Sequence, residues 1–399
     1  MKILMINHFP LEGSGSGTYT KNLAMQLAEN GHEVCVILPE NSTQIPQYAG
    51  VRLHPVLFTN EEPIEGALPF NFPCFTTHPR SVVAFKDLDE AQMQAYLDAF
   101  EQAIDREVRD WKPDVIHGQH VWALPSLAVG KGVPLVLTAH GTDLMGYDKW
   151  PEMRHFAKKA MDGCVKVICI SKDNEALIRK TFPEHVDKIQ RMRNGYNPAI
   201  FFPQQLDRAA VLGAYGVDYA GQRLALFAGK LTNFKGVDVL LDAAAIIAQK
   251  DPNVFIPIAG DGEERGNLEA KKEALGLPNV QFLGNVTQDA LCRLYNIADV
   301  DLVPSRREPF GLVAVEAMAC GTPVVATNEG GLPDFVNDSV GGLVPVEDAP
   351  ALAQKILDVL DRAVGNPAWR ADIQKYAEQN YSQAAIIQEL IALYQSVLG

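Results

Sequence analysis

The sequence predicts an α/β protein made of two doubly wound, Rossmann-like units. Three observations carry this reading. Short apolar runs alternate with longer amphipathic stretches along nearly the whole chain, the pattern of βαβ units whose parallel sheet is covered on both faces. The 399 residues, 47% of them hydrophobic, exceed what one hydrophobic core usually holds. The alternation is interrupted near 197–203, where Pro198 and Pro203 separate the last strand of one set from the first helix of the next.

In the first half, strands are expected at 2–7, 33–38, 51–58, 114–117, 134–139, 165–170 and 188–193, with helical stretches between several of them. The first helix is expected over 19–30, directly after the run Gly13-Ser14-Gly15-Ser16-Gly17-Thr18. The segment 60–86 carries Pro63, Pro69, Pro73 and Pro79 with little periodicity. It is too long for an ordinary connection, and its aromatics Phe70, Phe72, Phe75 and Phe85 argue against disorder. In the second half, strands are expected at 223–228, 254–259, 280–283, 299–304 and 323–326, separated by helical patterns such as 237–249 and 289–297. The chain shows no repeat at solenoid period. The domains are placed at 1–200 and 201–379, with a final helical segment at 380–399.

Thirty-five Lys and Arg against 49 Asp and Glu leave a formal charge of −14, which disfavours nucleic acid and anionic lipid as partners. The start, Met1-Lys2-Ile3-Leu4-Met5-Ile6-Asn7, is too short for a secretory apolar region and meets His8 at once. Nothing approaches the roughly 20 apolar residues of a membrane span. A soluble, cytoplasmic protein without stable membrane insertion is expected. The six cysteines form no CxxC pair and no cluster at zinc spacing, so they read as plain buried thiols.

Three stretches carry chemistry. The glycine run before the first helix lets backbone approach a ligand and offers a helix N-terminus to an anion; a flexible turn is the alternative. It matches neither G-x-G-x-x-G nor the P-loop spacing. After the first strand of the second unit, Gly229-Lys230-Leu231-Thr232-Asn233-Phe234-Lys235-Gly236 places two lysines where they can converge on a diphosphate, unless both are ordinary surface lysines. Glu308 follows a strand, and Glu316 lies eight residues later in an otherwise apolar helix. A carboxylate there is costly to bury without partners, so hydroxyl groups of a ligand are its expected donors; a solvated helix face is the alternative.

The stretch Glu308-Pro-Phe-Gly-Leu-Val-Ala-Val-Glu316-Ala-Met-Ala-Cys-Gly-Thr-Pro resembles the E-x7-E signature of retaining GT-B glycosyltransferases of the glycosyltransferase 4 type. The likeness spans nearly the whole chain. The glycine run, Thr138-Ala139-His140-Gly141-Thr142-Asp143, Ile170-Ser171-Lys172, Asn194-Gly195-Tyr196-Asn197, Gly229-Lys230, Lys235-Gly236 and Ala259-Gly260-Asp261-Gly262 all follow in family order. The resemblance implies two Rossmann-like domains facing a cleft, the first for the acceptor and the second for the donor, with the last helix crossing back to the first. It implies that Lys230 and Lys235 bind the donor diphosphate, Glu308 the C3 and C4 hydroxyls of the sugar, and Glu316 the ribose. Main-chain N–H groups of Phe310, Gly311 and Leu312 would meet sugar and pyrophosphate, and Gly15, Gly17, Asp261 and Val286 complete the donor set. His140 would act with Glu308 in catalysis, stabilising the transition state rather than attacking.

The chain departs from the family at Lys230, usually arginine, which costs a bidentate fork but keeps the charge. It also has Asn197 where the family's Asn-Gly-Val-Asp motif has an acid. The expected reaction moves a hexose or N-acetylhexosamine from a nucleotide-diphosphate sugar, with UDP favoured, to a hydroxyl. No cofactor and no metal are expected, because lysine charge can stand in for Mg²⁺ at the diphosphate and no Asp-x-Asp sequence of the metal-dependent kind occurs among the strand ends. The alternatives are a nucleotide-sugar hydrolase or epimerase of the same fold, and a nucleotide-sugar-binding protein without turnover.

On the acceptor side the candidates are His117, His120 and Trp122 after the strand at 114–117, Asp143, and Thr76-Thr77-His78-Pro79-Arg80-Ser81 in the long segment. Arg80 beside His78 could clamp an acceptor phosphate or carboxylate, or belong to a plain surface loop. No basic amphipathic helix with an apolar face is expected near the cleft of the first domain, which favours a soluble small-molecule or saccharide acceptor. The oligomeric state is left open.

Overall fold

The computed structural model describes residues 1–60, 63–75, 78–366 and 368–399. The chain forms two compact units, Met1–Arg193 with Ile386–Gly399, and Asn194–Ala385. The division thus falls a few residues from the expected 200/201 and 379/380. The cause is local: the Tyr196 N–H donates to the Tyr381 carbonyl at 3.0 Å, and the Gln383 N–H donates to the Tyr196 carbonyl at 3.1 Å. Residues following Arg193 are therefore tied to the second unit.

The first unit is a seven-stranded parallel sheet: β1 (Lys2–Ile6), β2 (Glu33–Glu40), β3 (Val51–Leu57), β4 (Val115–Gln119), β5 (Leu135–Ala139), β6 (Lys166–Cys169) and β7 (Ile189–Arg191), in the order β3-β2-β1-β4-β5-β6-β7. Its strands are apolar along their length because both faces are covered. Leu4 and Ile6 of β1 point into one core with Phe58, Tyr96 and Trp122, whereas Ile3 and Met5 point into the other with Leu23, Leu27 and Tyr394. Alternation at period 2 thus feeds two cores from one strand.

The long segment is part of the first core. Phe72, Cys74, Phe75 and Phe85 are buried, and bridges join Phe58 to Leu68 and Cys74 to Ala84. The helix Gln383–Leu398 packs Ile387, Leu390, Ile391 and Tyr394 on the opposite face. Tyr394 Oη lies 2.6 Å from His117 Nδ1, and His117 Nε2 lies 2.7 Å from Thr138 Oγ1. His117, a candidate for the acceptor, is thereby engaged inside the core as the tie between sheet and last helix.

The second unit is a six-stranded parallel sheet: β8 (Arg223–Ala228), β9 (Val254–Ala259), β10 (Val280–Gly284), β11 (Val300–Val303), β12 (Val324–Thr327) and β13 (Gly341–Val344), ordered β10-β9-β8-β11-β12-β13. β13 is absent from the sequence expectation: with two glycines in four residues its local signal is weak, and pairing with β12 creates it. The first helix also differs. It runs Gly15–Glu29 and starts four residues early, because the Gly17 N–H donates to Ser14 Oγ at 3.0 Å and caps the turn. Among the described residues no helix is long and apolar enough to cross a membrane.

Candidate active site

In open parallel sheets, ligands gather outside the carboxyl ends of the strands where strand order reverses. In the second unit that place lies between neighbours β8 and β11. Lys230 follows β8, with Nζ 3.8 Å from Glu263 Oε2, both side chains open to solvent. A 3₁₀ turn, Asn233–Lys235, leads to Gly236, which starts the helix Val237–Lys250. Gly236 has φ +65°, and a Cβ there would stand 2.0 Å from the Pro304 carbonyl oxygen. Only glycine permits both the left-handed backbone and this approach of the turn to the end of β11.

That approach brings the two halves of the site together. Lys235 Nζ donates to Glu308 Oε2 at 2.6 Å, and Ser305 Oγ donates to the same oxygen at 3.3 Å. Glu308 is buried while Lys235 is about a quarter exposed. The ammonium and the carboxylate thus neutralise each other at the strand reversal.

Gly311 starts the helix Leu312–Ala319, whose first N–H groups have no intrahelical acceptor. Phe310 is packed against Phe335 and Tyr381, which fixes the backbone entering that helix. Glu316 is buried one turn before the helix end, and burial, with the nearby Asp301 carboxyl adding to it, pushes its carboxyl up to about 8. Asp301 in β11 is itself fully buried and raised by burial. Asp261 follows β9: its Oδ1 accepts from the Gly262 N–H at 2.8 Å, its Oδ2 from Arg265 Nη1 at 3.2 Å, and its carbonyl from the Leu231 N–H at 2.9 Å. It braces the segment that carries Lys230. Val286 is half-buried in the connection after β10.

In the first unit the order reverses between β1 and β4. Gly15 and Gly17 lie in the first turn of the helix Gly15–Glu29 rather than in a loop. A Cβ at Gly17 would meet the Pro10 carbonyl oxygen at 2.2 Å, whereas Gly15 is open. Beyond β4, β5 and β1 lies a group of buried imidazoles. His8 Nδ1 and His120 Nδ1 both donate to the Gln119 carbonyl, at 3.1 and 3.0 Å, and His140 Nε2 donates to Gln119 Oε1 at 2.9 Å. Burial pushes His8 down to about 3 and holds His120 and His140 well below the usual histidine range. All three are neutral near pH 7. His120, in a left-handed conformation at φ +77°, packs its ring 5.0 Å from Phe75 and 4.7 Å from His140.

The remaining acceptor candidates have protein partners. Asp143 is buried and spends its carboxylate on backbone: Oδ2 accepts from Val121 N–H at 2.8 Å, and Oδ1 from Gly141 and Leu144 N–H at 2.8 and 3.0 Å. It locks the end of β5 to the end of β4. Arg80 donates through both Nη atoms, at 2.8 and 3.2 Å, to buried Glu40. His78 Nε2 donates to the Glu12 carbonyl at 3.1 Å and its ring stacks on Phe9. Thr76 and Thr77 lie outside the described residues. Sequence reasoning passed over Ser305 and Gln119, although both sit where a strand ends, the position at which polar side chains reach a site. Among the described residues, no three His, Cys, Asp or Glu side chains cluster so as to hold a metal ion.

Two parallel-sheet Rossmann-like units, each with polar residues at its strand reversal, are the architecture of GT-B glycosyltransferases. Residues 13–200 match the family described as Glycosyltransferase Family 4, and residues 217–380 match Glycosyl transferases group 1. The chain is 32% identical over 370 residues to D-inositol 3-phosphate glycosyltransferase from Mycolicibacterium gilvum, covering 85% of this chain and 77% of that protein. It is 29% identical to an uncharacterized glycosyltransferase from Methanocaldococcus jannaschii, covering 99% and 98%. In fold it is similar to sucrose-phosphate synthase from Thermosynechococcus elongatus, with a TM-score of 0.78 at 22% identity and coverage of 100% and 99%. Anabaena HepE in complex with UDP-glucose gives a TM-score of 0.74 at 21% identity, with coverage of 99% and 100%. The chain belongs to glycosyltransferase family 4. It is a glycosyltransferase.

Proposed function

We propose that the enzyme transfers a hexosyl or N-acetylhexosaminyl group from a nucleotide-diphosphate sugar to an acceptor hydroxyl with retention of configuration and without a metal ion. The observation that carries this reading is the Lys235–Glu308 pair, 2.6 Å apart at the strand reversal of the second unit. The donor binds there. Lys235, drawn from Glu308, and Lys230 receive the diphosphate; N–H groups of Phe310, Gly311 and Leu312 add donors to pyrophosphate and sugar. Released from the lysine, the Glu308 carboxylate accepts the sugar's C3 and C4 hydroxyls, and Glu316 takes the ribose. Gly15, Gly17, Asp261 and Val286 shape or brace the donor site. As the C1–O bond to the diphosphate breaks, its electrons leave on the phosphate oxygen. The acceptor oxygen then bonds C1 from the same face, and its proton passes to that oxygen. Glu308 and the neutral His140 orient and stabilise the developing charge.

UDP is the favoured nucleotide, supported by the similar fold of HepE, solved with UDP-glucose. The acceptor binds the first unit near His120. The inositol-phosphate relatives raise the case of an anionic acceptor. The first unit favours an uncharged, hydroxyl-bearing one: its buried imidazoles are neutral and Arg80 is held by Glu40. Incubation with UDP-, GDP- and ADP-sugars and a panel of polyols, saccharides and sugar phosphates, read as free nucleoside diphosphate with and without acceptor, tests the reading. Acceptor-dependent release that falls sharply in kcat for Glu308→Gln supports it. Release independent of any acceptor would point to a hydrolase.

A further inference from the structure

Glu308 and Lys235 belong to different loops, and their spacing depends on what holds those loops in place. Arg306 stands two residues before Glu308 and three past the end of β11, and its side chain is mostly buried. Its Nη1 donates to the Asn233 carbonyl at 2.8 Å, in the turn that carries Lys235. Nη1 and Nη2 donate in parallel to Asp238 Oδ1 and Oδ2, both at 2.7 Å, in the first turn of the following helix. Nε donates to Glu347 Oε1 at 2.7 Å. The backbone N–H of Arg306 donates to the Phe234 carbonyl at 2.8 Å. One residue thus grips the Lys235 turn by backbone and by side chain while standing on the segment that carries Glu308.

We propose that Arg306 is a positioning residue for the donor site, fixing the Asn233–Lys235 turn so that Lys235 meets the diphosphate at the end of β11. The inference rests on the reading of Lys235 as a diphosphate ligand. The role requires the planar fork of arginine, because a lysine ammonium cannot span Asp238 bidentately and still reach Asn233 and Glu347. A residue acting only through its positive charge has no such requirement.

The test is calorimetric binding of whichever of UDP, GDP and ADP the parent binds most tightly, with kcat and KM for the donor. The variants are Arg306→Gln, Arg306→Lys, Asp238→Asn, Lys235→Gln and the double variant Lys235→Gln/Arg306→Gln, each checked for a cooperative thermal transition. Arg306→Gln should weaken binding about tenfold, as expected when a charge-assisted contact is misplaced. Asp238→Asn should act in the same direction and keeps the test open if Arg306→Gln does not fold. Arg306→Lys should fail to restore affinity, and in the Lys235→Gln background the Arg306 change should add less than twofold. Restoration by lysine, or a full tenfold loss persisting without Lys235, overturns the inference. If Lys235→Gln alone leaves affinity unchanged, the donor reading fails and this inference falls with it; if only the coupling is missing, the donor reading stands.

Discussion

At the scale of single residues, burial decides what each charged group can do. Glu316 is pushed up to about 8 from an ordinary 4.5 because it is desolvated beside Asp301. Between these values the folded chain keeps a proton that the unfolded chain has released, so stability from this group falls as pH rises from about 4.5 to 8. Glu316→Gln should therefore gain stability relative to the parent steadily through that window and hold a constant advantage above it, measured by urea denaturation at a series of pH values. A pH-independent difference would show that the carboxyl does not titrate there. Arg80 makes the converse case. Its removal leaves Glu40 buried and unpaired, so Arg80→Ala should cost on the order of 3 kcal/mol of stability. The double variant Glu40→Gln/Arg80→Gln should recover most of it. Acceptor KM measured in that double variant separates an acceptor contact from a structural tie, which the single substitution cannot do.

At the scale of elements, the last helix shows how a segment distant in sequence completes a core. Tyr394 is fully buried against the first sheet, and its hydroxyl meets His117. Tyr394→Phe keeps the ring and removes that contact, so it should destabilise the chain by about 1 kcal/mol in chemical denaturation. No loss would mean that His117 finds another partner. The strands were the most legible elements. β8 and β9 fall at 223–228 and 254–259 as their apolar runs predict, because a run flanked by polar residues states its own ends. The start of the first helix was not legible. Glycines at 15 and 17 read as loop by propensity, yet the Ser14 cap and the close approach of Pro10 favour a helical turn there.

At the scale of the whole molecule, the charge of −14 disfavours general binding of anions, so the proposed anionic donor requires a local gathering of lysines and helix N-termini. If Lys235 and Lys230 supply the positive charge for the leaving diphosphate, turnover should survive excess EDTA. Complete loss, restored by Mg²⁺ or Mn²⁺, would place a metal ion in the reaction. The assay is nucleotide release from the preferred donor with saturating acceptor.

The sequence by itself determined the two-unit α/β architecture and the family, because apolar periodicity and the E-x7-E spacing are local properties of the chain. It also located the stretches that carry Lys230, Lys235, Glu308 and Glu316. Which of those side chains touch was decided only by tertiary structure. The Lys235–Glu308 contact spans 73 residues, and it exists because Gly236 lets one loop lie against Pro304, just past the end of β11. The same is true of the polar groups that found partners within the first unit. Asp143, His117 and Arg80 look in sequence like any polar residue beside a site. Their backbone and side-chain partners, brought near by the packing of parallel strands and the returning helix, tie them into the fold.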